Sequence, residues 1–265
     1  MFRFLPFMPR DPFVAVVRLQ GIIASGGRMQ ALNDQNTASL IEKAFARGKP
    51  KAVALVINSP GGSPSQSSLI AARIRRLAEE KDVKVYAFVE DVAASGGYWL
   101  AAAADEIWVD ENSVVGSRGV ISASFGFQDF IARHGIERRV HTAGKSKSML
   151  DPFRPEKEED VARLKRLQEQ IHDSFIAHVK RRREGKLADE DLFTGDVWVG
   201  EKAREVGLAD GVGHVVPKMK ELFGKRVRFA VYQQRRPLFA RIGASFVSGA
   251  AAEVEARAHY ARYGL

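Results

Sequence analysis

Cysteine is absent from all 265 residues. Disulfides, thiol catalysis and cysteine-ligated zinc are therefore excluded, and redox chemistry gives no guide to compartment. Long apolar runs are also missing: nothing reaches the roughly 18 residues a membrane-spanning helix needs. The start, Met1-Phe2-Arg3-Phe4-Leu5-Pro6-Phe7-Met8-Pro9-Arg10, is short, broken by prolines and without the apolar stretch of a signal peptide. The expectation is a cytoplasmic or peripherally membrane-associated chain, with the Phe-rich start or the tail as the membrane contact. Acidic residues are the minority: 41 Lys and Arg face 32 Asp and Glu, a net charge of +9. A basic surface suits anionic lipid or an acidic partner. No aromatic-interleaved basic motif accompanies it, so no nucleic-acid partner is expected. Histidine is scarce, with six residues at 134, 141, 172, 178, 214 and 259.

What is present is βα alternation. Phe13 to Leu19 reads as a strand, and apolar residues at 40, 41, 44 and 45 predict a helix over 37–47, capped by Asn36 or Thr37. Ala52 to Ile57 is an uninterrupted apolar run, as in a parallel strand buried on both faces. The turn Asn58-Ser59-Pro60-Gly61-Gly62 follows, then an amphipathic helix over 67–80 and a strand over 83–89. Later segments predict short strands at 106–109, 114–121 and 136–142, and a helix at 127–134. A long helix over 156–183, acidic at its start and basic at its end, matches the macrodipole. Its final Lys180-Arg181-Arg182-Arg183 reads as a solvated helix end, and His172 and His178 as solvated on its face. Further helices are predicted at 187–193, 199–206 and 215–223, and a strand at 227–232. This alternation predicts an α/β fold with a parallel core sheet, flanking helices and a helical C-terminal extension. The expected division is an N-terminal segment, 1–11, a main domain, 12–232, and the extension, 233–265.

The chain is organised around Val92-Ala93-Ala94-Ser95-Gly96-Gly97-Tyr98. A small hydroxyl residue and two glycines stand between a buried strand and an apolar, Ala-rich helix. That is the grammar of a nucleophile elbow, which lifts one hydroxyl to a helix N-terminus where free N–H groups favour an anion. The competing reading is that Ser95 only caps the helix. An activated serine also needs an oxyanion site and a base. In a parallel sheet the 61–62 and 95–97 turns open on the same edge, so the N–H groups of Gly62 and Gly96 could converge on one oxygen. No histidine has a suggestive acidic partner, His214 included. A lysine is the alternative base, and composition does not choose one.

The motifs Ile57-Asn58-Ser59-Pro60-Gly61-Gly62 and Ala94-Ser95-Gly96-Gly97-Tyr98-Trp99 resemble the two turns of the ClpP/crotonase superfamily. With Gly144-Lys145-Ser146-Lys147-Ser148-Met149-Leu150-Asp151-Pro152-Phe153 they resemble the signal peptide peptidase A, or protease IV, family over about residues 12–224. That resemblance implies a ClpP/crotonase-like fold and a serine–lysine endopeptidase acting on short or unfolded apolar peptides, such as remnant signal peptides. It implies Ser95 as nucleophile, Lys147 as a general base that is neutral in the free enzyme, and Ser117, in Gly116-Ser117, as the residue that orients it. Lys145 matches only a flanking basic residue. Gly62 and Gly96 then form the oxyanion hole and Gly61 and Gly97 line the substrate site, with no metal or cofactor. The family also implies a cyclic homo-oligomer whose sites are shared between subunits. Position 118 is Arg, where the family often carries a hydrophobic residue. Two other functions stand beside this one: a crotonase-like acyl-CoA enzyme, and a non-catalytic membrane-associated scaffold.

Overall fold

The computed structural model describes residues 11–25, 31–144, 147–234 and 257–264. The expected N-terminal segment, Lys145 and most of the C-terminal extension lie outside them. The chain falls into two compact units, one of residues 1–118 and 177–265, the other of residues 119–176.

In the larger unit, β1 (Phe13–Gln20), α1 (Asp34–Ala46), β2 (Ala52–Ser59), α2 (Pro64–Lys81), β3 (Lys84–Ala94), α3 (Gly96–Ala101), β4 (Glu106–Val109) and β5 (Val114–Gly116) follow in order. In the second unit, α4 (Gln128–Arg133) comes next, and α5 (Glu158–Arg182) begins there and ends in the first. β6 (Val197–Val199), α6 (Gly200–Glu205), β7 (Gly211–Val212), α7 (Val215–Phe223) and β8 (Arg228–Tyr232) complete the larger unit. The sheet runs β6-β5-β3-β2-β1-β8, with β4 also on β3 and β7 on β4. Its strands are parallel except where β5 meets β6.

The apolar run of β2 has the central place its composition predicts. Val53, Leu55 and Ile57 are wholly buried on one face, while Ala52, Ala54 and Val56 join Val14, Val16, Tyr86, Phe88 and Met219 on the other. Each large aliphatic side chain so buried contributes about 1.5–3 kcal/mol. Two crossover helices are pinned by caps. Asn33, rather than Asn36 or Thr37, caps α1 by accepting from the Asn36 N–H at 2.8 Å, because the helix begins three residues earlier than its apolar spacing suggests. Ser63 caps α2, with Pro64 at the first turn where its missing N–H costs nothing.

The basic end of α5 is not solvated. Arg183 is 2% exposed, bonds Asp210 Oδ2 at 2.5 Å and donates twice to Gly207 O, while Arg182 donates to Ala102 O, Ala104 O and Asp105. These arginines donate to carbonyls just beyond the ends of α3 and α6. His178 is buried too, stacked on Trp99 at 5.0 Å with its Nε2 on Trp99 O at 3.2 Å. Burial holds its pKa down at about 4, so it is neutral. His214 does have an acidic partner, Asp110 at 2.8 Å, on the surface. The expected helix at 187–193 is irregular chain, as are the strand at 136–142 and the second half of that at 114–121. β6 and β7, three and two residues long, are too short to show a period.

In the smaller unit the Lys147 turn is followed by Asp151, whose carboxylate accepts from Arg138 and from the Phe153 N–H. Those two donors, the backbone one first, hold it below the usual carboxylate range. Phe127 stacks on Phe153 at 5.7 Å. Ile121, Phe125, Phe130, Ile136 and Leu167 of this unit are exposed.

Candidate active site

Strand register builds the site. β3 runs between β2 and β5, with Ala93 opposite Ser59 and Ala94 opposite Gly116. The residues following these pairs, Gly61, Ser95 and Ser117, therefore emerge together at the C-terminal ends of three adjacent strands, the edge where open α/β sheets bind ligands. The Ser95 N–H donates to Gly116 O at 2.8 Å, tying the elbow to the Ser117 turn.

Ser95 has φ 51° and ψ −120°, a backbone conformation that costs a side-chain-bearing residue about 1–3 kcal/mol. It stands at the N-cap of α3 yet its side chain makes no capping bond, so the helix-cap reading fails on geometry. Everything behind it is fixed. Gly96 through Ala101 are buried, and Tyr98, wholly buried, donates to Leu208 O at 2.9 Å. Burial pushes the Tyr98 phenol up to about 12, so it remains a donor.

The glycines are required by close approach. A Cβ on Gly61 would lie 2.7 Å from the Gly96 nitrogen and 2.8 Å from Ser95 Cβ, and one on Gly62 would lie 2.0 Å from Ile23 O. Gly61 and Gly62 also have φ of 98° and 137°, which favour glycine. A Cβ on Gly96 would sit 3.4 Å from the Gly62 nitrogen, so the two backbone nitrogens flank one small space. Among the described residues neither N–H donates to a backbone or side-chain acceptor. Gly97 has no room either, its Cβ falling 2.3 Å from Ser59 O. Two backbone N–H groups near one serine are the donor set that could hold a developing oxyanion if both point to one place.

Ser117 also has positive φ, 50°, fixed by its N–H on Asp196 O at 2.7 Å. Its Oγ accepts a hydrogen bond from the Tyr263 hydroxyl at 3.1 Å. Arg118 turns inward, its guanidinium 4.7 Å from the Phe193 ring, 4.9 Å from Trp198 and 5.7 Å from Tyr98. Burial lowers its pKa to about 10. The aromatic cage explains how a charged residue occupies a position read as apolar, through the cation–π attraction of three rings. Phe193 and Trp198 lie some 80 residues downstream, so no local pattern announces the cage.

The structure thus brings together Ser95, Ser117, Gly61, Gly62, Gly96 and Gly97 in one unit. Lys147 belongs to the other, 119–176, where it is exposed in a turn with its N–H on Gly144 O at 3.3 Å. The tyrosines of the tail were not foreseen; Tyr260 and Tyr263, three residues apart, are the only signal the sequence offers for them. No group of His, Asp or Glu among the described residues could hold a metal ion. No helix among them is long and apolar enough to cross a membrane.

The chain is similar to known proteins in three ways. It is 48% identical, over 95% of its length, to a protein of Brucella melitensis named Na(+)/H(+) antiporter NhaA, of which it spans 37%. It is 32% identical, over 82% of its length, to Protease 4 of Haemophilus influenzae, spanning 36% of that protein. The chain therefore covers little more than a third of these relatives. In three dimensions it matches a mutant of the 1510-N membrane-bound stomatin-specific protease solved with a substrate peptide, at TM-score 0.52 and 15% identity, over 92% of this chain and 98% of that one. The architecture is a ClpP/crotonase-like α/β fold. The model of peptidase family S49 matches residues 77–224, from the end of α2 past the elbow to the end of α7. That match covers more than half of the chain, and the chain belongs to peptidase family S49.

Proposed function

We propose that the chain is an endopeptidase with a Ser95–Lys147 dyad, acting on short or unfolded apolar peptides, remnant signal peptides among them. The observation that carries this reading is Ser95 itself: a hydroxyl held in a costly backbone conformation, unused as a cap, near the Gly62 and Gly96 N–H groups, which donate to no acceptor among the described residues. Ser95 Oγ attacks the scissile carbonyl carbon as its proton passes to Lys147 Nζ. The Gly62 and Gly96 N–H groups hold the oxyanion. The C–N bond then breaks, Lys147 returns the proton to the leaving amine, and the acyl group stays on Ser95. Water, deprotonated by Lys147, attacks the ester and Ser95 leaves with its proton restored. Ser117 orients the lysine, and Gly61 and Gly97 leave room for the peptide backbone. An acyl-CoA enzyme would need the oxyanion site but not the strained serine, and a scaffold would need neither.

The active form is a cyclic homo-oligomer in which Lys147 serves a neighbour's Ser95. Two observations support this reading: Lys147 is exposed in the single chain, and the unit that carries it leaves large apolar side chains in water. Head-to-tail interfaces that close into rings combine two different surfaces in this way. The test is to unfold and co-refold Ser95→Ala with Lys147→Ala, each carrying a different tag. Mixed assemblies should regain part of the peptide hydrolysis that each variant lacks. Assemblies shown by both tags to be mixed, yet inactive, would refute the shared site. A fluorophosphonate probe that labels another residue in place of Ser95 would refute the nucleophile.

A further inference from the structure

Arg118 is 0% exposed, and no side chain buried to that degree is larger. It follows Ser117 directly, yet the mechanism above gives it no task. Its guanidinium joins three elements of the larger unit: Tyr98 of the elbow helix α3, Phe193 in the irregular chain before β6, and Trp198 in β6. The Phe193 ring also carries the Lys180 ammonium of α5 at 5.7 Å. The backbone beside Arg118 needs such an anchor. Gly116 and Ser117 both have positive φ, 121° and 50°, so two successive residues leave the extended path of β5. Glycine adopts that conformation freely, but a serine holds it only where the surroundings over-determine it. Part of the restraint is backbone: the Ser117 N–H donates to Asp196 O at 2.7 Å, and Gly116 pairs with Val197. Trp198 closes over Gly116, where a Cβ would lie 2.8 Å from its ring. The same ring is a wall of the Arg118 cage, so residues 193–198 grip the 116–118 turn by backbone and side chain together. Burying a charge opposes folding, so filling space alone favours an apolar residue here. A flat cation held on ring faces does more: it fixes where the side chain lies, and through it the backbone at 118.

We propose that Arg118 is a positioning residue which, through its aromatic cage, holds the 116–118 turn and so presents the Ser117 hydroxyl to the lysine. The proposal rests on reading Ser117 as the residue that orients Lys147. Arg118 itself is sealed from substrate and from the reacting atoms. Its loss therefore removes no group from the reaction: the rate falls because Ser117 is misplaced, and peptide binding does not change.

The test is a double-mutant cycle on the full chain. Arg118→Met, which packs on aromatic rings without a charge, should lower kcat for a fluorogenic apolar peptide about tenfold with KM within about twofold. In a Ser117→Ala background the same substitution should change kcat by less than about twofold, since no hydroxyl is left to position. An arginine that only stabilises the fold would lower kcat by the same factor in both backgrounds, and that result overturns the proposal. So does an Arg118→Met enzyme as fast as its parent. A Ser117→Ala chain with full kcat overturns it as well, while leaving the Ser95 reading in place. If Arg118→Met does not fold, Phe193→Leu opens one wall of the cage, keeps the arginine and runs the same cycle with the same expectations. Amide exchange supplies a readout independent of turnover. In Arg118→Met the Ser117 amide, held on Asp196 O, should exchange about tenfold faster, while the amides of β2 keep their rates. Unchanged exchange at Ser117 overturns the positioning whether or not the chain is active. A chain that hydrolyses no peptide in any form sinks the peptidase reading instead, and the exchange rate then decides whether Arg118 holds the turn.

Discussion

The unit of residues 1–118 and 177–265 buries nearly all the core, with Val14, Ala15, Val53, Leu55, Val85, Ala87, Leu100 and Ile107 fully withdrawn from water. The unit of residues 119–176 buries little and exposes Phe125 to 80%, Ile121 to 68% and Phe130 to 58%. The first carries Ser95 on a frame that holds a strained backbone in place. The second carries Lys147 on a frame with scant apolar burial of its own. The contrast teaches that a strained backbone needs rigidity from behind, which the larger unit provides; on the reading proposed above, that rigidity is what positions the nucleophile. On the reading proposed above, the base acquires its surroundings on assembly.

The largest effect that sharpens this contrast is at the elbow. Ser95→Gly should lower peptide turnover by a factor of about 10⁴ or more. Its melting temperature should be unchanged or higher, since glycine relieves about 1–3 kcal/mol of backbone strain against about 0.5–1 kcal/mol for its freer unfolded chain. A clear fall in melting temperature would show that the serine side chain is structural. Lys147→Arg should be as inactive as Ser95→Gly, because a guanidinium does not serve as a base.

Next in size is the ion pair that anchors α5. Burial would raise the Asp210 carboxyl, and Arg183, Lys186 and the Ile107 N–H together hold it below its usual range; Arg183→Met leaves it only the half-exposed Lys186 and that one N–H, and leaves Gly207 O without its donors. Loss of one partner of a buried pair costs about 3–5 kcal/mol, readable by denaturant unfolding. Arg139→Met in the smaller unit breaks only an exposed pair with Glu137 and should leave the unfolding midpoint where it was. Equal effects at the two positions would erase the distinction between the units.

The smallest effect is acid sensitivity at His178. Its folded pKa of about 4 lies below the ordinary 6.5, so the unfolded chain binds the proton more readily. The stabilisation is complete above pH 6.5 and is lost as pH falls through 4, amounting to about 2–3 kcal/mol between pH 7 and 4.5. His178→Phe keeps a ring on Trp99 and should flatten that part of the profile. An unaltered pH slope would show that other groups account for it.

Much of this was legible before any coordinates. The β2 run, the elbow and the glycine turn announce themselves because burial on both faces and a tight turn each restrict composition locally. The end of α5 did not, because a run of arginines looks the same in water and on carbonyls; only Asp210 and the ends of α3, distant in sequence, make the difference. The Arg118 cage and the docking of Tyr260 and Tyr263 were hidden for the same reason. The helix foreseen at 187–193 shows the opposite failure: apolar residues spaced by chance, in a stretch whose chain is held by the Ala188 N–H on Val206 O instead of by its own turns.

The backbone angle at Ser95 has one more consequence, and it concerns descent. At most positions, a change that destroys activity also weakens the fold, so a gene released from its task still loses that residue slowly. At position 95, on the reading proposed above, the two pressures oppose each other: glycine is easier for the chain, and only turnover holds the hydroxyl. A lineage in which the proposed activity fell silent should therefore exchange that serine early, ahead of the glycines around it, which the fold retains for its own reasons. The residue found at this one position in a related chain is then a sensitive marker of whether that chain still works.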